Sequence, residues 1–76
     1  NNNVYMERKF SAVIAKEGKW FVSYCPELGV ASQGKTKSSA IKNLKEAVEL
    51  FLEEDPISVP EKREVVEFKA RVKAYA

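Results

Sequence analysis

Only one stretch of this 76-residue chain, from about Lys37 to Glu54, carries helical periodicity, and one helix can cover only one face of any sheet built from the rest. Ala40, Ile41, Leu44, Ala47, Val48, Phe51 and Leu52 recur there at three- and four-residue intervals and form the core face. Lys42, Lys45, Glu46, Glu49 and Glu53 lie opposite, and the Lys42/Glu46 and Lys45/Glu49 pairs add a few tenths of a kcal/mol each. Leu50 falls outside the stripe. Thr36 stands just before the pattern, where its hydroxyl can accept from an orphan amide as N-cap, typically worth ~1 kcal/mol.

The remaining apolar segments have strand character. KFSAVIAK, residues 9 to 16, alternates Phe10, Ala12 and Ile14 with Ser11, Val13 and Ala15. Glu17-Gly18-Lys19 supplies a turn, and WFVSYC, residues 20 to 25, completes a hairpin. Pro26 cannot donate to a ladder and ends the second strand. Gly29 permits the turn back into a third, VASQ, and Gly34 breaks it; both glycines read as turn residues. Asp55-Pro56 ends the helix, ISVPEK is a loop, and Val66 to Ala74 alternates Val66, Phe68, Ala70, Val72 and Ala74 with Glu67, Lys69, Arg71 and Lys73. The expected fold is therefore α+β, a single domain of order β-β-β-α-β. Right-handed crossover chirality predicts a mostly antiparallel four-stranded sheet, order 3-2-1-4, with the helix on one face.

Composition narrows the chemistry. Histidine is absent and Cys25 is the single cysteine, which removes Ser-His and Cys-His nucleophile pairs, histidine general catalysis and an internal disulfide. Two-metal phosphodiester cleavage needs convergent carboxylates, and the first strand has none in its body. The reading is a non-enzyme with no metal and no cofactor. Thirteen basic and eleven acidic residues give a net charge of +2, too balanced to announce nucleic-acid binding. No apolar run approaches the ~20 residues of a membrane helix, so no membrane partner and a cytoplasmic location are expected. Residues 1–5, NNNVY, fit no element and read as a cloning remnant before Met6, leaving 6–76 as the domain.

Strand two poses the sharpest question. Trp20, Val22 and Tyr24 occupy one side and Phe21, Ser23 and Cys25 the other, yet the helix covers one side only. Leaving a tryptophan in water forgoes ~4 to 6 kcal/mol. That rivals the ~4 to 11 kcal/mol expected for a whole domain of this length. Trp20, Val22 and Tyr24 are thus candidate protein-interface residues, with cover by the N-terminus or the 55–65 loop as the alternative. Lys35, Lys37, Lys42 and Lys45 near the helix start are a candidate RNA-binding patch, or an ordinary solvated face interleaved with glutamates. Pro26, Gly29, Gly34 and Thr36 read as structural, and Cys25 as a buried small hydrophobe.

CPELG after an aromatic strand, then SQG, Thr36 and a helix carrying Ala40, Asn43, Leu44, Glu46, Ala47 and Leu50 resembles the HicB-like antitoxin family. The likeness covers roughly residues 8 to 54. It implies a partial ribonuclease-H-like fold and a protein that binds and silences a small HicA-type ribonuclease toxin. Relatives commonly place Glu three residues after the threonine; here Ser39 stands there, so capping from one side only is expected. Many relatives append a DNA-binding module after the fourth strand, and without one DNA binding is not expected. A homodimer or higher homo-oligomer, a small RNA-binding module and an orphan interaction domain complete the expected alternatives.

Overall fold

Gly18 sets the first hairpin. Its φ of 61° with a following non-glycine of negative φ is the signature of a two-residue II′ turn, whose twist matches the flanking strands. In the computed structural model, which describes residues 5–55, 64 and 66–74, that turn joins β1 (Val13–Glu17) to β2 (Trp20–Cys25). A second turn leads into β3 (Val30–Gly34): the amides of Leu28 and Gly29 both donate to the Cys25 carbonyl, at 3.3 and 2.8 Å, and Gly29 adopts φ 73°. The three strands form an antiparallel sheet of order β1-β2-β3, and α1 (Lys37–Glu54) follows and packs on β3 and β2.

Helix α1 spans the residues its periodicity predicts, but its start is better capped than expected. Thr36 Oγ1 accepts from the Ser39 amide at 3.1 Å, and Ser39 Oγ accepts from the Thr36 amide at 3.0 Å. The shorter serine therefore closes the reciprocal box that a glutamate usually closes. At the other end the Asp55 amide donates to the Phe51 carbonyl at 3.1 Å. Pro56 and the ISVPEK loop lie outside the described residues, as do residues 1–4.

Cys25, Leu44 and Val48 form the core, with Phe10, Leu28, Val30 and Leu52 packed around them. Ser23 and Ala40 are also fully buried, and the Ser23 hydroxyl donates to the Ala40 carbonyl at 2.8 Å. Small residues at both positions let the helix approach β2 closely enough for that bond. Asn43 Nδ2 donates to the Gln33 carbonyl at 2.8 Å and ties the second helical turn to β3.

Two expectations about the sheet are overturned. The first strand begins at Val13 rather than Lys9. In the observed register Val13 lies opposite Tyr24, so Ser11 would face Pro26, which has no amide to offer. Instead the Ser11 amide donates to both carboxylate oxygens of Glu27, each at 3.1 Å. More consequentially, the architecture is β-β-β-α, and the four-stranded order 3-2-1-4 does not form: residues 66–74 belong to no strand and are exposed. Because α1 lies over β3 and β2, a strand added beyond β1 would have its apolar side uncovered, and alternation alone fixes a face without supplying a partner.

Glu27 acts as a clamp on the N-terminal approach to β1. Burial tends to raise its pKa, but the hydrogen bonds from Ser11 and the Cys25 thiol outweigh it and bring the carboxyl from 4.5 to about 2. The stability it contributes is complete above pH 4.5 and fades as the pH falls toward 2. Glu27→Gln is therefore expected to cost about 1 kcal/mol at neutral pH, after allowance for solvent screening. It should also flatten the acid limb of a urea-midpoint titration; an unchanged limb would remove the clamp from the account.

Candidate protein-binding face

Cross-strand partners share a face of a sheet, so the register sorts every strand residue. Ser23 and Cys25 face the helix and are buried. Trp20, Val22 and Tyr24 point to the opposite side, where the neighbours across the ladders are Glu17, Ala15 and Val13 of β1 and Gln33 and Ala31 of β3. No described element covers this side. Trp20 is 42% exposed, Tyr24 43% and Val13 55%, and Val22 between them is half-buried. The cover by residues N-terminal to β1 that the sequence left open is not provided by residues 6–12, which lie along the helix side instead.

The face carries one cation in contact with its aromatic surface. Lys35 follows β3 and brings its Nζ to 6.0 Å from the centroid of the Trp20 ring, an exposed cation–π contact worth about 0.5 to 1 kcal/mol. The other lysines of the basic patch do not join it. Lys37, Lys42 and Lys45 are exposed on α1, and Lys45 lines a groove on the helix side of the sheet. The structure thus places Lys35 and Lys45 on opposite sides of the sheet. Sequence proximity grouped them; the turn at Gly34 to Thr36 separates them.

Pro26, Gly29, Gly34 and Thr36 lie at the joints between elements. Pro26 sits just past β2, Gly29 has the left-handed backbone its turn requires, and Thr36 caps α1. Gly34 has no positive φ and is buried at the end of β3, beneath the first turn of α1. Its glycine is required by close approach rather than by turn geometry.

Cys25 is fully buried, and burial first, then its hydrogen bond to Glu27 and that carboxylate's charge, push its thiol pKa up. The thiol donates to Glu27 Oε1 at 3.3 Å, so it is held protonated and unreactive. Among the described residues no cluster of three or more His, Cys, Asp or Glu side chains has metal-binding geometry, and no helix is long and apolar enough to cross a membrane.

What this arrangement offers is a three-stranded antiparallel sheet backed by one helix, with an aromatic face turned outward. Over 43 residues the chain is 44% identical to a UPF0150 protein of Helicobacter pylori strain J99. The matched span covers 55% of this chain and 60% of that relative's length. UPF0150 is the HicB-like family, so the likeness read from CPELG and the helix-start motif and the likeness to this relative agree at that coarse level. No protein-family model matches the chain, and no solved structure matches it.

Proposed function

We propose that this chain is a non-catalytic, HicB-like antitoxin domain that binds a small HicA-type ribonuclease toxin and occludes its active surface. The identity to a UPF0150 protein carries the reading. The open face supports it, since Trp20 and Tyr24 are the residue types that dominate binding energy at protein interfaces and Val22 fills the space between them. Lys35 beside Trp20 adds a cation that would meet an acidic group on the partner and steer association.

Copurification with a HicA-type ribonuclease from the same host, followed by titration, tests this. Trp20→Ala is expected to weaken the complex by about 2 kcal/mol or more, roughly 30-fold, and Lys42→Ala by less than 3-fold. Equal effects would discredit the aromatic face, and no association would remove the antitoxin reading. A second reading rests on the same Trp20–Lys35 contact: an aromatic with a cation over it is also a stacking platform for single-stranded RNA. Retention of RNA with a steep salt dependence, and no protein partner, would move the function there.

A further inference from the structure

The outward side of the sheet is a grid of three rows, set across the strands by the observed register. Val13, Tyr24 and Ala31 form the row at one end, and Ala15, Val22 and Gln33 form the middle row. In the third row Glu17 lies beside Trp20 on the β1 side, while Lys35 brings its Nζ over the Trp20 ring from the β3 side. One aromatic is thus flanked by an anion on one edge of the sheet and a cation on the other. Both charged residues are exposed.

We infer that this face pairs with the same face of a second copy, about a two-fold axis that runs parallel to β2 between the two sheets. That axis keeps each row opposite itself and exchanges the edges, so β1 of one copy lies over β3 of the other. Glu17 then meets Lys35 of the second copy, and by symmetry Lys35 meets Glu17. Trp20, Val22 and Tyr24 stack on their own equivalents along the axis, and Val13 lies over Ala31, a larger side chain against a smaller one. Stacked sheets stand ~10 Å apart and align to within ~30°, a gap that a lysine and a glutamate bridge from facing sheets. The other aligned packing, with the axis across the strands, would set Glu17 over Val13 and Lys35 over Ala31. Unpaired charges against apolar side chains disfavour it. The charge pattern is therefore its own complement, which selects a second copy as the occupant and fixes its orientation. Three strands ~4.8 Å apart and three rows ~7 Å apart give a face of roughly 14 by 20 Å. Two such faces bury less than the ~1,200 Å² of a stable complex, so the dimer is weak and dissociates on dilution. It shields Trp20 in the free chain and yields the face to a tighter partner. That competition rests on the antitoxin reading; the dimer itself does not.

Sedimentation equilibrium of the full chain alone tests this, so the result is independent of any ribonuclease. The wild-type mass is expected to rise from one chain toward two between about 10 micromolar and about 1 mM. Glu17→Lys and Lys35→Glu each set two like-charge pairs across the interface and should dissociate ~10-fold more readily or beyond. Both side chains are exposed in the single chain, so the fold should survive, as circular dichroism would verify. An equimolar mixture of the two variants should associate as tightly as wild type or better, because in the mixed dimer every charge meets its opposite. Lys42→Glu changes the net charge as Lys35→Glu does but lies exposed on α1, and should leave association unchanged. A wild type monomeric throughout, single variants as tight as wild type, a mixture without recovery, or a Lys42→Glu effect as large as that of Lys35→Glu would each overturn the pairing.

Discussion

Gly34→Ala is expected to destabilise the domain by about 2 to 4 kcal/mol, a large share of the total a chain of this length can have. An added Cβ would lie 2.6 Å from the Ala40 amide nitrogen and 2.8 Å from the Ser39 carbonyl carbon. Both are backbone atoms of the first helical turn, so no side chain can swing aside and the helix start itself must withdraw. Withdrawal would stretch the Ser23–Ala40 and Asn43–Gln33 hydrogen bonds, each 2.8 Å, which hold α1 on β2 and β3. Gly29→Ala is the informative comparison. Gly29 has φ 73° and a Cβ added there would meet only the Tyr24 hydroxyl, at 4.0 Å, so the alanine would bring backbone strain of about 1 to 2 kcal/mol without collision. Urea midpoints should rank wild type above Gly29→Ala above Gly34→Ala, and a Gly34→Ala midpoint equal to wild type would mean the helix start can move without loss.

That contrast also marks where the sequence is legible. Periodicity places α1 and β2 on the residues where they are found, because a 3.6-residue repeat and a run of aromatic and β-branched residues are local signals. The two sides of β2 follow from alternation alone, so an outward-facing Trp20, Val22 and Tyr24 could be read before any fold was known. The other features depend on pairing. Val66 to Ala74 has the pattern of a strand, but a pattern carries no information about whether an edge is available and covered. The start of β1 depends on a proline thirteen residues away, and the helix-side role of Gly34 depends on what stacks above it. Where the lysines near the helix start point depends on folding in the same way: Lys35 lies against Trp20 while Lys45 borders the groove on the helix side.

Leu44→Ala is expected to cost about 3 kcal/mol, within the 2 to 5 typical of a core leucine, while Leu50→Ala on the same helix should stay within about 0.5 kcal/mol. Leu44 is 4% exposed and touches Cys25 and Val48, the centre of the only packed cluster among the described residues. Leu50, six residues later, has turned to the solvent side of α1. Chemistry, helix and propensity are identical in the two substitutions, so the difference in urea-derived stability isolates burial. The comparison bears on function because this core lies wholly between α1 and one side of the sheet. A domain stabilised from the helix side alone can leave Trp20, Val22 and Tyr24 exposed for a partner. If Leu44→Ala were as mild as Leu50→Ala, the stabilising contacts would have to lie elsewhere, the outward face being the nearest place, and Trp20→Ala would then unfold the chain rather than only weaken an interface.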